Sequence, residues 1–97
     1  MSLKVRLERP GAAEPMRAMP PEAKRQMREA LRKLATDPSG RSMGLDVKML
    51  RTTEAAPVYR LRIGEWRAAW QVRGNVLQVV RVFHRSEGYG WLERMYP

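Results

Sequence analysis

The second half of the chain contains the residues whose types and spacing could do chemistry. It has three runs of strand-forming residues joined by short turns, and alternation with a period of two sets the side chains of a strand on opposite faces. In the first run, Val58–Ile63, this puts Arg60 and Arg62 on one face and the apolar side chains on the other. A guanidinium group stays protonated and its planar fork suits phosphate oxygens, so the predicted chemistry is phosphate binding. The candidate arginines of the three runs are Arg60, Arg62, Arg67, Arg81 and Arg85.

The first connection predicts a tight hairpin. Only Gly64 and Glu65 separate the first run from the second, Trp66–Val72, and a two-residue turn with Gly at positive φ is the simplest link. The register that follows places Arg62 directly opposite Arg67. Like charges at opposed positions destabilise a sheet, so this pair indicates a polyanionic ligand outside the sequence. The apolar pairs of the same register are Ile63 with Trp66, Leu61 with Ala68 and Tyr59 with Trp70, which makes the two tryptophans core residues.

The second connection leaves the face of Arg81 open. A three-residue turn, Arg73–Asn75, would pair Val72 with Val76 and set Arg67 opposite Arg81, with Arg85 further along that face. All five arginines of the set would then share one side of the sheet. A two-residue turn would shift the parity and send Arg81 to the other face. An ion pair of Arg81 with Glu29 or Glu93 is a further alternative.

Composition narrows the class of protein. Ninety-seven residues predict a single domain, 1–97, and 19 basic against 10 acidic side chains give a formal charge of +9, with fifteen arginines. Arginine is better suited to phosphate than lysine, which favours a nucleic-acid partner. With no cysteine and one histidine we expect no metal and no cofactor. The lack of a long apolar run or a signal core predicts a cytoplasmic protein with no membrane association.

The remaining elements follow from hydrophobic periodicity and from Pro and Gly positions. The best helix is the amphipathic segment Pro21–Ala35, whose outer face carries five basic side chains and is typical of a solvated surface or of a contact with RNA or an acidic partner. The others are a strand at Leu3–Glu8 with Leu3, Val5 and Leu7 inward, a short helix at Ala12–Met19, an edge strand at Leu45–Leu50 with either Val47 and Met49 or Leu45 and Leu50 inward, and a C-terminal helix or extended tail at Glu87–Tyr96.

Two motifs in the last 40 residues or so resemble the RelE/ParE superfamily of toxins from toxin–antitoxin pairs. They are Tyr59–Arg67, which reads YRLRxGxxR, and His84–Tyr89, which reads HRxExY. The resemblance implies an α+β fold similar to that of microbial ribonucleases. In that fold a small curved antiparallel sheet of about four to five strands carries two packed N-terminal helices and a short C-terminal helix.

The resemblance to the RelE branch also implies an activity: cleavage of mRNA in the ribosomal A site through attack by the RNA's own 2'-hydroxyl. By position, Arg60 and Arg62 correspond to phosphate-binding cations, Arg67 and Arg85 to groups that stabilise transition-state charge, and Tyr89 to a tyrosine that stacks on a base or transfers a proton. Family members often carry lysine at the first two positions, and a guanidinium is a poor general base. Proton transfer then shifts to His84, Tyr89 or the ribosome.

The same resemblance implies an acidic cognate antitoxin, with the ribosome and mRNA as further partners and a heterotetramer or larger assembly with the antitoxin. Two other functions stay open. One is a ParE-like, non-enzymatic inhibitor of DNA gyrase, and the other is an inactive relative that only binds RNA. His84 and Tyr89 also have structural alternatives, as a solvated histidine and as a core aromatic.

Overall fold

Five strands form one sheet in the computed structural model, which describes residues 2–50 and 56–96. The strand order is β1-β5-β4-β3-β2. The elements are β1 (Lys4–Leu7), α1 (Ala13–Ala18), α2 (Pro21–Thr36), a 3-10 turn (Arg41–Met43), β2 (Asp46–Leu50), β3 (Val58–Ile63), β4 (Trp66–Arg73), β5 (Val76–His84), a second 3-10 turn (Arg85–Glu87) and α3 (Gly90–Met95). The α+β class, the two N-terminal helices and the short C-terminal helix are confirmed.

One edge of the sheet differs from the prediction of a purely antiparallel sheet. β1 runs parallel to β5, with Lys4 paired to Val76, because α1, α2 and three strands intervene before the chain returns beside β1. The other strand pairs are antiparallel. Leu3 and Leu7 pack on the core as predicted. Val5 does not, since at this outer edge it remains 41% exposed.

α1 and α2 cover one face of the sheet, which we call the helix face. α2 begins with Pro21 in its first turn, where a missing N–H costs nothing, and its apolar stripe buries Met27, Leu31 and Leu34. These side chains pack on Leu61 and Trp70 of the sheet. On the outer side of α2, Arg25 donates to both Glu22 and Glu29, so part of the predicted charged face is internally paired.

The first hairpin has the predicted register. Ile63 pairs with Trp66 and Arg62 pairs with Arg67, across a turn in which Gly64 has φ of +58°. That left-handed conformation is strained for other residues, which explains glycine here. Trp70 is buried, so its predicted place in the core is confirmed.

The turn of the second hairpin has two residues, so the predicted three-residue turn is wrong. Arg73 pairs with Val76 across a two-residue turn, and Arg67 lies opposite Phe83 instead of Arg81. An irregularity between Ala69 and Trp70 leaves one extra residue on β5 and restores the parity, so that Arg81 lies opposite Ala69. Arg81 therefore reaches the face that carries Arg60 and Arg67, by a different route from the one predicted.

The second face of the sheet, the groove face, is only partly covered. α3 packs there through Trp91, which is buried with Val58, Ala69 and Phe83. The hydroxyl of Tyr96, just after α3, donates a hydrogen bond to Oε1 of Gln71. None of the helices in residues 2–50 and 56–96 is long and apolar enough to cross a membrane.

β2 combines the two predicted burial patterns. Val47 and Leu45 pack on the helix-face core, while Leu50 packs on the core under α3. Met49 is 62% exposed, so its predicted inward position is wrong. β2 lies at the outer edge, beyond the cover of the helices, and this leaves Met49 at the surface.

Candidate phosphate-binding groove

A cationic groove opens on the groove face beside α3, with a volume of about 580 Å³. It crosses the sheet from β2 to the chain segment after β5. Within residues 2–50 and 56–96, four cations and no carboxylate or imidazole line it. The lining residues are Lys48, Met49, Leu50, Arg60, Arg67, Phe83, Arg85 and Tyr89. This set contains four of the predicted site residues, and Lys48 is a cation that the sequence reading missed.

Arg60 lies at the floor of the groove and is largely enclosed, with 11% of its side chain exposed. One terminal nitrogen donates to Oδ1 of Asp46 at 3.2 Å, while Nε is buried without a partner in the described part of the chain. Asp46 also lies 4.0 Å from Arg62. It compensates part of the charge, and the sequence did not reveal it because the β2–β3 register was unknown.

Arg67 has no carboxylate partner among the described residues. Its Nη1 donates to the carbonyl oxygens of Gly64 at 2.8 Å and Trp66 at 3.0 Å. Burial, and after it the neighbouring charge of Arg62, lowers the pKa of the Arg67 guanidinium, while Tyr89 acts in the opposite direction. Arg60 and Arg85 lower this pKa further. The protein thus holds a charge on Arg67 at a cost that a bound anion would relieve.

Arg85 and Tyr89 form the outer wall of the groove. Arg85 is exposed and lies 3.4 Å from Oε1 of Glu65, a surface pair of little energetic weight. Tyr89 is 40% exposed, and its ring meets Phe83 edge to face with centroids 5.4 Å apart. An aromatic ring held this way beside two guanidinium groups can stack on a base or present its hydroxyl to a phosphate.

His84 is not brought into the groove. It pairs with Trp66 on the helix face, and the two rings are 5.2 Å apart. Its Nδ1 accepts the backbone N–H of Ser86 at 3.2 Å, and its Nε2 lies 3.4 Å from Glu65. The His84 backbone N–H donates to Glu87, which completes a capping box around the turn that carries Arg85. The contacts of His84 are those of a structural cap.

Arg62 and Arg81 lie outside the groove on opposite sides. Arg62 borders it, with 56% of its side chain exposed beside Arg67. Arg81 has its guanidinium 5.9 Å from the ring centroid of Trp91, in a separate pocket. Among the described residues, Arg81 forms neither of the predicted alternative ion pairs, with Glu29 or with Glu93, and Glu29 instead binds Arg25 and Lys33. In the described ranges, no three His, Asp or Glu side chains come together as a metal site.

Comparisons with known proteins concern the family and the fold of the chain. A sequence model described as the ParE toxin of the type II toxin–antitoxin system parDE matches residues 12–89. No curated protein sequence matches the chain. Among solved structures, the archaeal RelE–RelB complex from Pyrococcus horikoshii is 22% identical, with a TM-score of 0.74 over 91% of this chain and 100% of that one.

Two other toxin–antitoxin complexes contain chains with similar folds. RelBE2 from Mycobacterium tuberculosis is 23% identical, with a TM-score of 0.68 over 88% of this chain and 100% of that one. RelB–RelE from Methanococcus jannaschii is 18% identical, with a TM-score of 0.67 over 88% of this chain and 95% of that one. At these identities the likeness is one of fold.

Proposed function

The chain belongs to the ParE toxin family of type II toxin–antitoxin systems, and we propose that it acts as a ribosome-dependent endoribonuclease that cleaves mRNA. The predicted membership of the RelE/ParE superfamily is thereby confirmed. Family membership leaves RNA cleavage and gyrase inhibition as alternatives. The cations of the groove favour RNA cleavage.

The observation that carries the proposal is the arrangement around Arg67. This guanidinium is half-buried, has no carboxylate partner among the described residues, and shares its groove with Arg60 and Arg85. Cations that repel one another persist in a fold when an anion is their working partner. A phosphate group of RNA matches their charge and their hydrogen-bonding geometry.

The proposed reaction uses the RNA as its own nucleophile. The 2'-oxygen attacks the adjacent phosphorus, the bond from phosphorus to the 5'-oxygen breaks, and the products are a 2',3'-cyclic phosphate and a 5'-hydroxyl. Arg67 and Arg85 would stabilise the dianionic phosphorane, with Arg60 holding the phosphate and Arg62 an adjacent one. Positioning and charge stabilisation then account for most of the rate enhancement.

Two proton transfers complete the reaction. We assign the proton for the departing 5'-oxygen to the hydroxyl of Tyr89, the neutral acid that lines the groove. The proton of the 2'-hydroxyl goes to an acceptor in the ribosomal A site. His84, which caps a turn on the other face of the sheet, takes no part in this assignment.

We further propose that residues 1–97 act as one toxin domain in the cytoplasm, where an acidic antitoxin neutralises part of the +9 charge. The three similar solved chains come from toxin–antitoxin complexes, two of RelE with RelB and one named RelBE2. A heterotetramer or larger assembly is the expected form of the inhibited protein. An antitoxin segment over the groove would block the substrate and silence the toxin.

The test is incubation with translating ribosomes, followed by primer extension on the mRNA. We expect cuts phased with the reading frame, abolished in the double variant Arg67→Ala, Arg85→Ala. The control Arg17→Ala, Arg41→Ala removes the same charge from exposed positions outside the groove and should cut normally. An intact mRNA after treatment with the folded wild-type protein would contradict the proposal.

A gyrase inhibitor is the second candidate, and two observations favour it. The matching family model is that of ParE, and no imidazole or carboxylate base among the described residues lines the groove. Inhibition of gyrase supercoiling by the purified protein, with ribosomes and mRNA unaffected, would establish this function. Salt-dependent RNA binding without cleavage or gyrase inhibition would instead identify an RNA-binding relative.

A further inference from the structure

A second cationic pocket lies on the groove face, on the far side of Trp91 from the groove. It has a volume of about 280 Å³ and lies between α3 and the segment that follows β1. Three arginines line it, Arg9, Arg81 and Arg94, with Glu8 as the only carboxylate lining it among the described residues. Glu8 already accepts a hydrogen bond from Gln78 at 2.8 Å. The pocket therefore has an excess of positive charge.

Two buried donors in this pocket lack partners within the described residues. Nε of Arg81 and Nε1 of Trp91 are both buried without a hydrogen bond, and Trp91 as a whole is only 4% exposed. None of the three arginines forms an ion pair with a described carboxylate. Buried N–H groups are almost always satisfied in native proteins, and these two lie beside a pocket whose three arginines have no ion-pair partner among the described residues. Together these features favour an acceptor from outside the chain.

The backbone of Gly11 lies against the extra residue of β5, Val80, and both line this pocket. The next residue, Arg81, has its guanidinium 5.9 Å from the ring centroid of Trp91. The carbonyl oxygen of Gly11 accepts the N–H of Val82 at 3.0 Å. A Cβ atom on Gly11 would lie 2.5 Å from the Val80 oxygen, so only glycine permits this approach.

We propose that this pocket binds a phosphate-type oxyanion, with Arg81 as the central ligand and Arg9 and Arg94 at its rim. Its source is either a polynucleotide backbone or free phosphate, and the RNA source rests on the function proposed above. Arg81 lies in β5 and Arg85 begins the turn that follows this strand, so one chain segment carries an arginine into each site. Tyr89 lies between the two sites, with its ring 6.3 Å from Trp91, where a base could stack.

The experiment measures binding of a single-stranded RNA hexanucleotide that carries 2'-O-methyl groups and cannot be cleaved. Fluorescence anisotropy over a series of salt concentrations gives the affinity and its salt dependence. We expect Arg81→Gln and, separately, the exposed Arg94→Gln to weaken binding severalfold and to reduce the slope of log K against log salt by about 0.7 each. Arg17→Gln, which removes the same charge from α1, should leave the slope unchanged.

A second arm identifies the source of the oxyanion. Broadening of the phosphorus-31 signal of inorganic phosphate is measured for the same variants. Loss of broadening in Arg81→Gln with unchanged RNA binding assigns the pocket to free phosphate, whereas weakened RNA binding in Arg81→Gln assigns it to a polynucleotide backbone, whether or not the broadening is lost. If folded Arg81→Gln and Arg94→Gln match Arg17→Gln in both arms, the inference is wrong.

The outcomes also separate this inference from the proposed function. RNA binding lost in Arg67→Gln and unaffected in Arg81→Gln would overturn the RNA-binding role of the pocket while leaving the cleavage groove intact. If Arg81→Gln loses the broadening and the wild-type protein cuts no mRNA, the pocket is supported and the proposed function is overturned.

Discussion

At the scale of single residues, Tyr89 has two roles that substitution can separate. Its ring is held edge to face by Phe83 and its surface is 40% exposed, which suits base stacking. Its hydroxyl is the proton donor that we assign to the departing oxygen. A phenylalanine keeps the ring and its packing, whereas an alanine removes both functions.

We therefore expect Tyr89→Phe to lower the cleavage rate about 10²- to 10⁴-fold with RNA affinity almost unchanged, because only the proton is lost. Tyr89→Ala should also weaken RNA binding by about 1–3 kcal/mol through lost stacking. Single-turnover cleavage on programmed ribosomes and anisotropy with a non-cleavable RNA measure the two effects. Cleavage by Tyr89→Phe at the wild-type rate would contradict the assignment of the Tyr89 hydroxyl as the proton donor.

For His84 we expect the opposite of Tyr89: substitution should lower stability and leave cleavage almost unchanged. As a cap, it accepts the Ser86 N–H through Nδ1, and His84→Ala should lower the free energy of unfolding by about 1 kcal/mol without a large change in cleavage. His84→Asn supplies another side-chain acceptor and should recover most of that stability. Urea unfolding and cleavage assays are run on both. A loss of cleavage of about 10²-fold or more in both stable variants would identify His84 as a proton-transfer residue after all.

At the scale of elements, the two hairpins show why one register was predictable and the other was not. The first has Gly64 in its turn and alternation without interruption, so Arg62 and Arg67 were paired correctly. The second depends on which residue of β5 is extra, and the run around Val80 consists of similar valines. Nothing local distinguishes the bulged position, because the bulge is determined by its fit to β4 and to the backbone of Gly11.

That fit leads to a stability prediction for Gly11→Ala. The new Cβ would meet the backbone oxygen of Val80 at 2.5 Å, so the backbone around Gly11 or Val80 must shift. We expect a loss of about 1–3 kcal/mol in unfolding free energy, typical of an overpacked site. Gly90→Ala is the matched control, since its Cβ would meet only the flexible end of Arg94 at 3.4 Å. Equal stability of the two variants, measured by urea unfolding, would contradict the close approach.

For the opposed pair Arg62 and Arg67 we predict a substitution that raises the free energy of unfolding. Arg62→Thr removes a like charge and introduces a β-branched strand former, and the ion pair lost to Asp46 is long, at 4.0 Å. We expect the variant to be more stable by about 0.2–1 kcal/mol and to bind RNA less tightly. Thermal unfolding with and without a polyanion such as heparin tests this. The polyanion should stabilise the wild type more than the variant. An Arg62→Thr protein that is less stable would show that the pair is not repulsive.

At the scale of the whole molecule, composition and strand pattern predict the fold class, because apolar periodicity sets which face of each element is buried. They do not predict how distant segments meet. Asp46 and Lys48 flank the site only because β2 pairs with β3 in one particular register. The position of His84 depends likewise on where β5 ends and the capped turn begins. Four groove residues were named from the sequence, and the ones missed or misplaced are those set by long-range register.

Arg85 is the most informative position for a test in cells, because it lines the groove and its removal should leave the fold intact. Its side chain is 63% exposed and its ion pair with Glu65 is solvated, so Arg85→Ala should unfold at nearly the same urea concentration as the wild type. We expect induction of the wild-type chain without an antitoxin to arrest growth and induction of Arg85→Ala, at equal abundance, to relieve the arrest. Arg17→Ala removes the same charge far from the groove and should stay toxic. Arrest by Arg85→Ala as strong as by Arg17→Ala would mean that toxicity depends on a surface other than the groove.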